Sequence, residues 1–555
     1  MSLWSSIIAK LKEVIRKMIG SKTIEDTLHI APVISMEMEN AIRTWSDMYR
    51  GKAPWLHEPD ANDPTRIVSL GLPAMIASEK ARMVVLEMNS EITTPTEEVE
   101  VPNPNYTEPI PDQFGNIMPT FQKPTMIKDK PIGPTDRAVY LNEQYTKLKS
   151  NLRRQLEYGI AKGGLVIKPY VVTGQVEDTE EVTYNIEFDY IQADSFYPLA
   201  FNASGQITEA AFLDSKVEKN TIYRRLEYHK WTNNSVRIIN KAFKSNIPNN
   251  KPNIDLNSVD LGKEVPLSDV PEWSALQEDT TIKNVSKPLF AYFRMPEANT
   301  IDTTSPLGVS GYSRAVSLIK DADIQYSTLL WEYEAGQMAI DIDRDALMTQ
   351  SDNNGNAHTT LGHLQQRLYR FVDISQTGDT YQPYSPALRD SQYIQGLNTI
   401  LMRIEDVCAL SRGTLSDAAA EARTATELKI LKQRSFSANA EIQKALETTL
   451  KDVIYIMNVY CDLYEITPEG EYDVNFEWDD SIITDVDTEL GKHITLLQNG
   501  IESKKHIRMW YFGETERQAE QALAEINGES LQDEEEEMAM QTNILRQKQM
   551  GGNNM

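Results

Sequence analysis

Three aspartates at alternate positions, Asp341, Asp343 and Asp345, imitate the start of a calcium-binding loop, which draws oxygen ligands from its first, third and fifth positions. The imitation ends there. Ala346 stands where such a loop needs glycine for its sharp turn, and Asp352 stands where a glutamate closes the site. His358 and His363 are five apart in a polar turn, off the spacing that sets two imidazoles on one helical face. Gly308-Val309-Ser310-Gly311 places a serine between glycines, but the second glycine comes one position too early for a nucleophile elbow. No GxxxxGK[ST] phosphate cradle occurs. Cys408 and Cys461 are too far apart for a CxxC site and too few for a disulfide scaffold. Both lie in apolar helical runs and are expected to be buried free thiols. The seven histidines form no triad with a partnered nucleophile. These residues argue against an enzyme, and no metal or cofactor is expected.

The elements that carry them come from periodicity. Apolar 3–4 spacing predicts helices over 33–50 and 67–90, and another from Asp136 to Ala161 that Gly163 and Gly164 end. Nine of the 26 prolines fall between 95 and 134, which predicts an extended excursion. Strands are expected at 165–173, 182–192, 207–213, 221–231 and 236–243, and a long loop over 244–288. Ser305-Pro306 and Ser385-Pro386 each have the form of an N-cap followed by proline. They predict helices from 305 for about 25 residues and from 385 to about 410, around a small α/β insertion. The spacing of Thr424 and Glu427 suits a capping box. It opens a helix with apolar positions at Leu428, Leu431, Ile442, Leu446, Leu450, Val453, Ile454, Met457 and Cys461. At 1.5 Å per residue its roughly 40 residues span about 60 Å, unless it kinks near Ser435 to Ser437. A strand over 472–478 and short helices at 485–498, 503–511 and 514–527 follow.

At 555 residues, with 40% hydrophobic and 25% charged side chains, the chain can build real cores. Its net charge of −27 argues against a conventional nucleic-acid binder. Residues 462–537 hold 22 acidic and 5 basic groups and end in the run Asp533–Glu537, read as a solvated tail. Residues 412–451, with seven basic and five acidic groups, are slightly positive. No stretch is long and apolar enough for a transmembrane helix, and no signal-peptide pattern is seen. Leu3, Trp4, Ile7, Ile8, Leu11, Val14, Ile15, Met18 and Ile19 share one face of a basic N-terminal helix. That helix suits docking on protein, or an interfacial membrane helix.

From Ser305 to about Phe512 the chain resembles the portal proteins of long-tailed double-stranded DNA bacteriophages. The likeness rests on SPLGVSGYSRAVSLIKDADIQYS from 305, on two helices around an α/β insertion, on SRGTLSDAAAEARTATELK from 411, and on the long helix with its acidic tail. Upstream, IASEKARMVVLEMNSEIT, LEYGIAKGGLVIKPYV and IQADSFYPLAFNASGQITEAAFL look like the same family's outer domain.

The resemblance implies an elongated α+β subunit. Residues 1–304 would be the wing, 305–335 and 385–411 the stem helices, 336–384 the clip and 412–423 a tunnel loop. Residues 424–466 would be the long inner wing helix, and 467–555 the crown and acidic tail. It further implies a twelve-subunit ring at a capsid vertex of the virion, built in the host cytoplasm, with DNA crossing an axial channel without sequence preference. Terminase, major capsid and scaffolding proteins and a head-completion adaptor would be the partners, with no ATPase activity and no membrane. Acidic channel walls keep contacts with phosphates transient, since a basic lumen would hold the duplex by counterion release. Arg412, Thr414, Ser416, Asp417, Glu421 and Arg423 are the expected tunnel-loop residues, and Asp341, Asp343, Arg344 and Asp345 an expected adaptor contact. A membrane-surface or assembly scaffold held by the N-terminal helix, with no DNA role, is the alternative.

Overall fold

The computed structural model describes residues 22–526 apart from 59–64, 87, 103–124, 176–181, 247–259, 344–349, 352–356, 359–368, 373–380, 418–424, 479–485, 514–517, 521 and 524–525. It mixes helices and strands in two compact units: residues 1–86 with 140–468, and residues 87–139 with 469–555.

After the short helix Ile24–Leu28, the first unit continues with helices α1 (Met36–Tyr49) and α2 (Leu72–Leu86). Ser35 caps α1, its hydroxyl accepting the Met38 N–H at 3.3 Å, while Met38, Ile42 and Trp45 form the buried stripe. Helix α2 ends earlier than its pattern suggests, because Met88–Thr93 is instead a strand of the second unit. Helix α3 (Asp136–Lys162), whose first turn counts with the second unit, leads into β1 (Gly164–Gln175) and β2 (Val182–Gln192). Next come β3 (Phe196–Phe201), β4 (Ile207–Glu218), β5 (Thr221–Thr232) and β6 (Ser235–Asn246). They are followed by β7 (Asp260–Val265), β8 (Asp279–Lys283) and β9 (Ala291–Arg294).

A seven-stranded antiparallel sheet runs from the short strand Lys22–Thr23 through β7, β6, β5 and β4 to β3, with β8 also on β6. A three-stranded sheet has the order β9-β1-β2. The stretch 244–288 is therefore not one long loop. Strand β8 exposes alternate residues, while Leu267, Val270 and Trp273, in and between two short 3-10 turns, pack on Ala242. So few buried residues in so polar a segment left no periodicity to read.

Neither Ser-Pro pair starts a helix. Helix α4 (Val316–Ala335) follows a 3-10 turn at Ser313–Ala315. Ser305 Oγ accepts the Leu307 N–H at 3.3 Å, and the chain then crosses the end of α3 as an irregular segment. There the Gly311 N–H donates to the Ile160 carbonyl at 2.9 Å, and Leu307, Val309 and Tyr312 are buried. A Cβ on Gly308 would collide with the Gly163 carbonyl oxygen, and Gly163 itself has φ +89°. Backbone groups engaged this way cannot join a helix until the crossing is complete.

Helix α4 holds the segment before α2 through buried Asp323. Its carboxylate accepts the Leu70 N–H at 2.8 Å and the Trp55 indole N–H at 2.9 Å. After α4 come β10 (Ala339–Asp343), β11 (Tyr369–Val372) and β12 (Tyr381–Tyr384). They form a sheet with β10 central, parallel to β11 and antiparallel to β12. Helix α5 (Asp390–Val407) starts beyond Pro386, where Glu332 of α4 accepts the Arg389 N–H at 3.2 Å and two guanidinium hydrogen bonds at 2.8 and 3.1 Å. Helix α6 (Ala425–Leu463) is continuous for 39 residues and packs on β9, β1 and α2. Ile442, Leu446, Leu450, Val453, Ile454, Met457 and Cys461 are all buried, as its periodicity requires. Leu428, Leu431 and Glu427 have side chains outside the described residues, and Thr424 lies outside them altogether. Cys408 and Cys461 are buried and in no disulfide.

In the second unit, Met88–Thr93 pairs antiparallel with Asp473–Trp478. Thr96–Pro102 pairs with Thr125–Pro131, so the proline-rich stretch is extended at the edges of a two-stranded ladder. Helices Val486–Gln498 and Lys504–Phe512 follow, the second capped by Ser503. The amphipathic segment 3–19 and the acidic run 533–537 lie outside the described residues.

The glycine crossing gives a paired test. Gly308→Ala is expected to cost about 1–3 kcal/mol by overpacking against the Gly163 backbone. Gly491→Ala, in a helix with nothing within 4 Å of the new methyl, is expected to gain about 0.5–1 kcal/mol. Thermal melts of the two variants beside the parent check both signs.

Candidate functional site

The expected tunnel loop leaves α5 at Cys408. Ala409 takes a left-handed backbone, φ +53°, which turns the chain back on the helix that precedes it. The anchor is Glu405, wholly buried on α5. Its Oε1 accepts the N–H groups of Leu415 at 2.7 Å and Ser416 at 2.9 Å, and its Oε2 accepts the Ser416 hydroxyl at 2.9 Å. A buried carboxylate is tolerable only when its lone pairs are filled, and this loop fills them.

The nominated residues divide accordingly. Arg412 Nη2 pairs with Asp406 at 2.6 Å, with its side chain about three-quarters buried; Nη1 is buried without a hydrogen-bond partner. Thr414 donates its hydroxyl to the Ser411 carbonyl at 2.6 Å, and Ser416 is buried on Glu405. These three hold the turn together. Asp417 is exposed; its backbone N–H donates to Asn398 Oδ1 of α5 at 2.8 Å, which leaves the carboxylate at the surface. Glu421 and Arg423 lie outside the described residues.

Asp341 and Asp343 occupy alternate register positions of β10. Asp341 stands opposite Arg370 of β11 and Gln382 of β12, and Asp343 opposite Val372. Arg344 and Asp345 lie outside the described residues. No group of three or more metal-ligating side chains occurs among the described residues. None of their helices is long and apolar enough to cross a membrane.

Sequence reasoning passed over Glu405. Its signal was an acid beside the apolar positions Ile404 and Cys408, where a charge needs a specific partner. It also passed over a charged centre between the seven-stranded sheet and the β9-β1-β2 sheet. There Lys168 of β1 reaches Glu227 of β5 at 2.8 Å and Asp189 of β2 at 3.6 Å. Arg225 pairs with Glu227 at 3.2 Å and Asp214 at 3.7 Å, and His229 with Glu227 at 2.6 Å. An open cavity of about 370 Å³ adjoins them, lined by Lys168, Asp189, Arg225 and Glu227 among others. Burial alone would raise the Glu227 carboxyl, yet Lys168, the His229 hydrogen bond and Arg225 together hold it well below the usual carboxylate range. The alternation Arg225, Glu227, His229 along a strand was the legible sign.

Glu405→Gln keeps the shape but turns an amide N–H₂ toward backbone donors. The expected loss is about 2–3 kcal/mol, since charge-assisted bonds to two N–H groups and a hydroxyl are given up. Hydrogen exchange over 408–417 should quicken in this variant while α1 stays protected.

A family model described as "Phage portal protein, SPP1 Gp6-like" matches residues 39–532. No curated protein matches the chain.

Proposed function

Because the chain belongs to the phage portal proteins of the SPP1 Gp6-like kind, a structural and not an enzymatic family, we propose that twelve copies close into a ring at one capsid vertex. In this reading double-stranded DNA passes through the ring during packaging and ejection. The family match over most of the chain carries the reading, and the helix pair α4 and α5 supports it. Ile324, Trp331 and Tyr333 of α4 and Ile394 and Met402 of α5 are exposed, Trp331 to 60%. Large apolar groups along two packed helices suit burial against a second copy, and a closed ring gives every subunit the same pair of contacts.

The helices α4 and α5 are read as the stem, β10 to β12 as the clip on which terminase and head-tail adaptors dock, and α6 as the inner support of the wing. The loop 412–423 borders the channel in this assignment, and Asp417 is its best-placed described residue. An exposed carboxylate there repels phosphates and keeps the duplex sliding. Scaffolding and capsid proteins surround the ring during assembly in the host cytoplasm.

Native mass spectrometry and particle images test the ring. Twelve chains of 63.0 kDa give a particle of about 756 kDa with a central hole. Trp331→Asp is expected to break it into smaller species, since losing one central aromatic costs about 2 kcal/mol or more at each interface. A stable monomer in the presence of scaffolding and capsid protein would remove the ring.

The channel assignment has its own test. Asp417→Lys with Glu421→Lys is expected to leave rings intact but to impair DNA packaging or retention, read as the fraction of filled heads. Normal packaging by the double variant would take the loop out of the channel.

A further inference from the structure

Strand β5 buries both of its faces. Leu226 and Tyr228 join Leu199, Ala211, Phe243 and Leu261 in an apolar cluster. Arg225, Glu227 and His229 occupy the alternate positions, and Glu227 bonds across to Lys168 of the three-stranded sheet. His229 is 2% exposed, and its Nε2–H donates to Glu227 Oε1 at 2.6 Å. The remaining nitrogen, Nδ1, is buried and has no hydrogen-bond partner. The ring stands edge-on to Phe212 of β4, with centroids 5.4 Å apart, and to Phe290, with centroids 5.9 Å apart.

We propose that His229 is a proton-operated latch between the seven-stranded sheet and the β9-β1-β2 sheet. Neutral, it completes the Glu227 network and closes the junction. A proton taken up at Nδ1 creates a buried cationic N–H with no acceptor, set among phenyl rings, and is accommodated by parting Phe290 and Lys168 from β5.

The charged groups around the latch come from several elements. Lys168 lies on β1, Asp189 on β2, Asp214 on β4, and Arg225 and Glu227 on β5 itself. Tyr460 of α6 is buried near Glu227. Lys168 also lies over the Phe212 ring, 5.1 Å from its centroid, so the same cation bonds the carboxylate and packs on the ring that confines the imidazole. The open cavity beside Glu227 admits water to this side of the network, so the opened state can be hydrated.

The sign follows from burial, which pushes the His229 imidazole below its ordinary value against the opposing pull of Glu227. A depressed value in the folded state means that the unfolded chain takes up the proton first. The stabilisation is present above about pH 6.5 and is lost as pH falls from there toward the folded value.

Hydrogen exchange on the full-length protein at pH 7.5 and 5.5, corrected for intrinsic rates, tests the latch. Protection across 164–175, 221–232 and 288–294 is expected to fall at the lower pH by up to about tenfold per pH unit, the limit for one proton. Protection of 72–86 should hold. His229→Gln keeps a donor for Glu227 but cannot gain the proton, and should abolish the step. An equal loss in His229→Gln, a loss spread evenly over 72–86, or no loss at all would overturn the proposal. Should His229→Gln fail to fold, Phe290→Leu loosens the apolar confinement, brings the folded value closer to that of the opened state, and should shrink the loss of protection between pH 7.5 and 5.5. An undiminished loss in that variant also counts against the latch.

Discussion

The first unit depends on one close backbone approach. At Gly163 and Gly308 two segments run so near each other that neither position has room for a side chain. The Met295 N–H donates to the Gly163 carbonyl at 3.1 Å, and the Gly311 N–H to that of Ile160 at 2.9 Å. Helix α3, strand β9 and the chain leading to α4 are thereby fixed together within a few residues. The start of α4, and with it the place of the α4–α5 pair, follows from where this crossing ends. Packing elsewhere tolerates variation in side-chain volume, but backbone against backbone does not.

What was legible in the sequence was whatever repeats. The apolar stripe of α6, the bounds of α3 and strands such as Val182–Gln192 follow from periods of 3.6 and 2, and the structure has them close to where the pattern put them. The misreadings came from local rules that a distant partner overrode. Ser305-Pro306 has the chemistry of a helix start, yet its neighbours' backbone groups are claimed by α3. Ser385-Pro386 gave way to Arg389, whose placement is set by Glu332, 57 residues earlier. No local window contains such a partner. The nominated residues show the same limit: they were chosen by position along the chain, and only geometry separated exposed Asp417 from Arg412, Thr414 and Ser416, which hold the turn.

Buried charge recurs at the joints of this strongly acidic chain. Glu405 fastens the loop to α5, Asp323 fastens the segment before α2 to α4, and Glu227 joins the seven-stranded sheet to the β9-β1-β2 sheet. Each carboxylate accepts from two or more donors. An apolar contact could supply comparable stability with less directional demand. A buried carboxylate leaves one arrangement of its donors acceptable, because any other strands a charge away from water. In each case the cost of mispairing, more than the strength of the bond, fixes the geometry.

The sheet that interrupts α4 and α5 has a kinetic consequence. The two helices are separated by more than fifty residues, so docking them directly means closing a long loop. Ala339 and Tyr384, however, are direct partners in the pairing of β10 with β12. Once that ladder zips, the ends of the helices are held side by side, and their docking becomes a local event like the folding of a hairpin. Loop-closure entropy grows only slowly with length. The span between β10 and β12 can therefore vary in length and sequence at little thermodynamic cost to the helix pair.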